Sequence, residues 1–199
     1  MMVSRSTLVG LAVATLSAVA CSKKENSGAD TTAASAGMTD TSATASSTTS
    51  GTWTDENIFA VLDEANAADS AAGAIAATKG TSAAVRDFGK RMMRDHHSLR
   101  IQGEALAKKL KVTPTPPAGD NSMADSQKNL DLLNSTAKGK DFDKAYIDHE
   151  VEDHKAVLET ATKAMSQAQS TELKNLIQKA APVVQGHLDK AEAIQKNLK

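Results

Sequence analysis

The sequence predicts an all-α protein: an up-down-up-down bundle of four long helices with a short extra helix in the middle connection. Three observations lead there. Four long stretches carry apolar side chains at steps of three, four or seven, the signature of one face of a 3.6-residue period. Two tight turns, near Gly80 and near Gln169, and one longer Pro-rich connection separate them. Nothing in the chain reads as a strand.

Residues 1–20, MMVSRSTLVGLAVATLSAVA, stand outside that fold. A short charged start with Arg5, an apolar run from Leu8 and small residues at Ala18 and Ala20 form an export signal, with a run too short for a permanent membrane span. The chain has a single cysteine, Cys21, directly after it. Ala18-Val19-Ala20-Cys21 resembles the lipobox of bacterial lipoproteins, with alanine where leucine is usual, and marks Cys21 as the expected site of lipidation. Ser22 after it resembles the sorting pattern of outer-membrane lipoproteins facing the periplasm; a soluble periplasmic protein is the alternative. One cysteine also excludes an internal disulfide, so burial must hold the fold.

Removing residues 1–20 takes away only Arg5 among the 23 basic side chains and none of the 24 acidic ones, moving the net charge from -1 to -2. That balance excludes a basic footprint for nucleic acid and a polybasic membrane patch. Aromatic residues make up only 3%, too few to stack bases or sugars along a groove.

Residues 22–52 are almost entirely Ser, Thr, Ala, Gly and charge, with Met38 as the one large apolar side chain. They cannot bury enough surface to offset their ordering entropy, and read as a disordered tether between Cys21 and a bundle domain over 53–199. Its typical reach is roughly 30 Å.

Helix one begins at Trp53-Thr54-Asp55-Glu56: Thr54 caps, the acids suit the positive helix end, and Trp53 staples onto Ile58. It runs to Lys79, where Gly80 is expected to supply a left-handed stop. Its inward stripe is Ile58, Leu62, Ala65, Asp69, Ala72 and Ala76, with alanines that allow close approach. Helix two, Val85 to Leu110 with a Ser82 cap, turns Val85, Phe88, Met92, His96, Leu99, Leu106 and Leu110 inward. Lys108, Lys109 and Lys111 suit its negative end. VTPTPPAG at 112–119 is extended. The short helix follows, with Ser122 and Asp125 as a variant capping box, and ends before Lys138-Gly139-Lys140. Helix three, Asp141 to Ala168, aligns Phe142, Tyr146, Glu150, His154, Val157, Ala161 and Met165. Helix four starts at a Ser170 cap and is interrupted at Pro182, just before inward His187.

A polar layer thus lies across an apolar bundle: Asp69, His96, Glu150, His154 and His187. With the turns at Gly80 and Gln169 at one end, His96 and His187 should be level within roughly 3 Å at 1.5 Å of rise per residue. His154 is nearby, and the carboxylates of Asp69 and Glu150 lie to the sides. His97 and His149 point away and belong to the surface or its boundary. Met92 and Met93 read as core filling, and Glu152, Asp153 and Lys155 as a solvated face.

The elements Val85-x-x-Phe88…Met92…Asp95-His96, Phe142-Asp143…Tyr146…Glu150-Val151…His154 and Pro182…His187-Leu188 resemble domain-of-unknown-function family 4142, exported bacterial proteins without a settled activity. The resemblance implies a ferritin-like helical fold over about Glu56 to Leu198, with Asp69 where the family usually has glutamate. The ferritin di-iron centre requires two Glu-x-x-His pairs, and this chain has none in the layer, which argues against a ferroxidase.

Two functions follow from the layer. A non-catalytic, membrane-tethered module of the cell envelope would use it as a buried network, with Asp69, Tyr146 and Glu150 satisfying the histidines and fixing helix register. A metal-dependent redox or stress protein would use His96, His154 and His187, with Asp69 and Glu150, to hold one transition-metal ion such as Zn, Fe or Mn.

Overall fold

The computed structural model describes residues 51–198, so the expected signal segment, Cys21 and most of the expected tether lie outside the described residues. Five helices and no strand make up the described residues: α1 (Asp55–Lys79), α2 (Ala83–Leu110), α3 (Ser122–Ser135), α4 (Lys140–Gln167) and α5 (Thr171–Gln195). The all-α bundle with an extra short helix is borne out. The longest helices are α2 and α4, each of 28 residues.

Contacts at the helix ends fix the direction of each leg. Asp55 at the start of α1 accepts from the backbone N–H groups of Gln169 and Ser170, so α1 begins where α4 ends and α5 begins. At the opposite end, Asp143 in the first turn of α4 accepts from the N–H groups of Thr81 and Ser82, in the turn between α1 and α2. Lys79 donates to the carbonyls of Leu133 and Asn134 at the end of α3, placing that end there too. Direction therefore alternates through all five helices, with α3 taking the third leg along α1. The four long helices alone run up, down, down, up instead of the expected up-down-up-down, because α3 takes the third leg, and the turns at Gly80 and Gln169 lie at opposite ends instead of the same one. In cross-section α1 packs against α2 and α4, and α5 packs against α4 and α2.

Local sequence explains most of the ends. Thr54 accepts from the Asn57 N–H at 3.4 Å while the Asn57 side chain accepts from the Thr54 N–H at 3.1 Å, a reciprocal cap. Ser170 caps α5 through the Leu173 N–H. Trp53 is buried in the same apolar cluster as Ile58, and Lys163 lies 3.8 Å over its ring. Four expectations need correction. Gly80 has φ -55°, so it is no left-handed stop; a Cβ there would come within 2.8 Å of the Ala76 carbonyl, and close approach is what calls for glycine. Ser82 makes no side-chain cap to α2, because the buried Asp143 carboxylate already holds Thr81 and Ser82 from α4. At α3 the Asp120 carboxylate takes the Ser122 N–H in place of the Ser122–Asp125 box. Pro182 sits inside an unbroken helical run, on an exposed position one turn after exposed Gln178, whose unpaired carbonyl can turn to water.

The α1–α2 crossing is closer than alanines alone permit. A Cβ on Gly73 would meet the Gly89 carbonyl at 2.7 Å, and one on Gly89 would meet the Gly73 carbonyl at the same distance. Backbone packs on backbone at this crossing, one turn past Asp69 on α1 and about two turns before His96 on α2.

The core is divided. One apolar cluster gathers Val85, Phe88, Met92, Phe142, Tyr146, Ile147, Leu188 and Ile194 near the α1–α2 turn. The other gathers Trp53, Ile58, Phe59, Ala107, Ala164, Leu173 and Ile177 near the α4–α5 turn. Between them lie Asp69, His96, Glu150, His154 and His187, all buried.

Candidate metal centre

His96, His154 and His187 meet in the middle of the bundle, each supplied by a different helix. Ring centroids are 5.5 Å apart for His96–His154, 5.1 Å for His96–His187 and 5.5 Å for His154–His187. One nitrogen of each ring lies within 4.8 Å of one from each of the others. The expected grouping is present, although the turns used to gauge depth are at opposite ends. The residues still coincide because the α4–α5 hairpin turns over as a unit and His96 lies midway along α2, so its depth is nearly the same from either end.

The other nitrogen of each ring is engaged. His96 Nδ1 is 2.9 Å from Asn66 Oδ1, and the Asn66 amide nitrogen donates to the Leu62 carbonyl at 2.6 Å, which fixes Oδ1 as the atom facing the ring. His96 Nδ1 must therefore carry the proton. His154 Nδ1 is 2.9 Å from the Glu150 carbonyl oxygen, a pure acceptor, so it too donates. His187 Nε2 is 3.1 Å from Asp95 Oδ2. Burial would raise the Asp95 carboxyl, but hydrogen bonds from His187 and Arg91 and the nearby Arg94 charge hold it below its ordinary value, so it is an anion that requires a donor. The three outward bonds thus leave lone pairs on His96 Nε2, His154 Nε2 and His187 Nδ1. All three atoms are buried and have no hydrogen-bond partner among the described residues.

Burial also keeps the rings neutral. It depresses His96 to about 2, helped by the neighbouring imidazoles, and His154 to about 4. His187 is lowered as well, by burial against the pull of Asp95. Neutral imidazole is the ligand form, so no proton competes for these nitrogens near neutral pH.

The carboxylates form a second part of the layer. Asp69 Oδ2 is 3.3 Å from His96 Nδ1, and Glu150 Oε2 is 3.5 Å from His154 Nδ1. Neither contact has hydrogen-bond geometry, and both Glu150 oxygens and the Tyr146 hydroxyl lack such partners among the described residues. Burial, reinforced by Asp153, pushes the Asp69 and Glu150 carboxyls well above their ordinary range. Tyr146 is raised by burial and by Glu150 beside it. Asp69, Asp153 and His154 form another group whose ligand atoms lie within 4.8 Å of one another, which corrects the reading of Asp153 as part of a solvated face. His97 is exposed and His149 half-buried, as expected.

Three contributors escaped sequence reasoning. Asn66 lies three residues before Asp69 on α1 and so on the same face, a signal available from spacing. Asp95 is next to His96 and about 100° away from it, which gave no sign that it would reach His187 across the α2–α5 contact. Asp143 was visible only as part of a family motif, and its role depends on a turn some sixty residues away.

The three-histidine group and the Asp69–Asp153–His154 group are arrangements that could hold a metal ion. Comparison with known proteins adds the family and the fold. The chain matches the family described as "Domain of unknown function (DUF4142)" over residues 39–194, and belongs to it. No match is found among curated proteins. A solved structure, described as the crystal structure of a DUF305 fragment from Deinococcus radiodurans, is similar at a TM-score of 0.63 with 11% identity, covering 72% of this chain and 95% of that one. A likeness at that identity supports the helical fold alone. No described helix is long and apolar enough to cross a membrane.

Proposed function

We propose that this DUF4142 protein holds one transition-metal ion on His96 Nε2, His154 Nε2 and His187 Nδ1, in a bundle tethered to the bacterial envelope. The observation that carries the reading is the set of three buried lone pairs. Imidazoles satisfied within a purely structural network would present donors to acceptors. Here three acceptors face one another with no donor, an arrangement that costs free energy unless a cation or water fills it. Asn66, the Glu150 carbonyl and Asp95 act as the outer partners that orient metal-ligating histidines and fix their tautomers. Asp69 and Glu150 lie beside the site; burial favours their protonated forms, and a bound cation would favour the charged forms that balance it. Three neutral nitrogens rank Zn and Fe ahead of Mn, which prefers oxygen.

Protein prepared without an affinity tag and analysed by elemental mass spectrometry should carry close to one metal equivalent per chain. A chain that stays metal-free after exposure to Zn(II) and to anaerobic Fe(II) would leave the layer as a structural network.

The anchoring half of the reading rests on Ala18-Val19-Ala20-Cys21 and the polar 22–52 stretch. It places the protein at the outer membrane, facing the periplasm, with lipid on Cys21. Cys21→Ser should shift the chain from the membrane to the soluble fraction and remove globomycin sensitivity while far-ultraviolet circular dichroism is unchanged. Unaltered fractionation would point to a soluble periplasmic protein.

A further inference from the structure

Beside the imidazole cluster, on the side towards the α4–α5 turn, the bundle contains a cavity of about 160 Å³. Phe59, Leu62, Leu99, Ile177 and Val184 supply much of its wall, and Asn66, Asp69 and His96 also line it. It is partly open to solvent past Glu104 and Pro114, and it is not needed to hold an ion on the three inward nitrogens. An engineered apolar cavity of about 150 Å³ in another protein binds benzene.

We propose that this cavity binds a small, neutral, single-ring molecule carrying one hydrogen-bonding group, phenol being the simplest of the class, with that group placed at Asp69. Size sets the single ring, and the aliphatic and aromatic wall sets its apolar body. The polar group follows from Asp69, which lines the cavity and whose buried Oδ2 lacks a hydrogen-bond partner among the described residues. Asn66 offers no comparable anchor, since its oxygen faces His96 Nδ1 and its nitrogen serves the Leu62 carbonyl. Neutrality follows from the charges already present. Arg100, the one basic residue lining the cavity, is held by Asp63 at 2.7 and 3.2 Å and by Glu104 at 3.3 Å, so it is not available to an anion. An ion carried further in would lose its hydration among apolar side chains.

Asp69 and His96 border both sites, but the inference does not require a bound ion, because the three inward nitrogens take no part in it. Its test is run on the full chain with EDTA present, so that it stands or falls whatever metal analysis returns. Phenol and benzene are titrated by calorimetry and by NMR shifts of the methyl groups of Leu62, Leu99 and Val184. Wild type should bind both saturably, one molecule per chain, with phenol at least tenfold tighter. Asp69→Ala should erase the phenol advantage and keep benzene binding. Ala161→Phe, which fills the cavity from α4, should abolish both, and Ala65→Leu serves the same purpose if that variant does not fold. No saturable binding to folded wild type, or binding that survives both filling substitutions, would overturn the proposal. Equal affinity for phenol and benzene in wild type would overturn the polar anchor.

Discussion

Adding Zn(II) to chelator-treated protein at pH 7 should raise its melting temperature by roughly 5 to 10 °C when free metal is at a hundredfold excess over Kd. That excess corresponds to about 2.7 kcal/mol of stabilisation by mass action, and a chain of this size gains about 2 to 4 °C per kcal/mol. Alanine at His96, His154 or His187 removes one of three ligands and should abolish nearly all of the gain, with matching loss of bound metal. Changing Asp95 to Ala leaves the ligands in place but frees His187 to choose the wrong tautomer, so affinity should fall about 10- to 100-fold while binding persists. The ligand and network readings part in the chelated state. On the network reading each His→Ala change costs about 1 to 3 kcal/mol with or without metal, and wild type does not respond to metal at all. A wild-type melting curve unmoved by Zn(II) and by anaerobic Fe(II) is the result that removes these residues from a metal centre.

Much of this arrangement is legible in the sequence. Spacing alone puts His96 on the stripe of Val85, Phe88 and Met92, and each of these is buried. The same holds for Tyr146, Glu150 and His154 on α4, and for His187 on α5. A helical period reports the inward face of each helix well because burial is a local consequence of facing. It does not report which helices are neighbours or which way the third long helix runs. Those depend on α3 climbing along α1 and on Asp143 binding Thr81 and Ser82, contacts between residues about sixty apart. The close α1–α2 crossing was half visible. Alanines on α1 indicated small spacing, but the pairing of Gly73 with Gly89 is a property of two helices together. Asn66 was within reach of the spacing argument, whereas Asp95 and Asp153 were not. Both sit about 100° from an inward neighbour, and a polar residue at such a boundary position is read by default as solvated.

The proton balance of the layer gives the last expected result, and it concerns the metal-free protein. His96 and His154 have folded pKa values depressed to about 4 or below, so their contribution to stability is complete above the unfolded value near 6.5 and is lost as pH falls from there. In that window the unfolded chain takes up protons that the native fold refuses. Asp69 and Glu150 work the other way. Their folded values lie well above the ordinary ones of 3.8 and 4.5, so their contribution is complete below about 4 and is lost as pH rises through the folded values. Between about pH 4.5 and 6.5 the two effects oppose each other, and each group contributes a slope of up to about 1.4 kcal/mol per pH unit. Removing one member of either pair should therefore tilt the balance in a predictable direction. Relative to wild type, Glu150→Gln should make stability rise more steeply with pH, by up to about 1.4 kcal/mol per unit, since one proton held by the native state is gone. His96→Leu should tilt it the opposite way by a similar amount, since one proton taken up on unfolding is gone. Urea titrations in EDTA at pH 5.0, 5.5, 6.0 and 6.5 read both slopes directly. Native imidazoles that stay neutral beside carboxyls that stay protonated set both slopes, so curves for the two variants that run parallel to wild type would show that the layer does not hold its protons in this way.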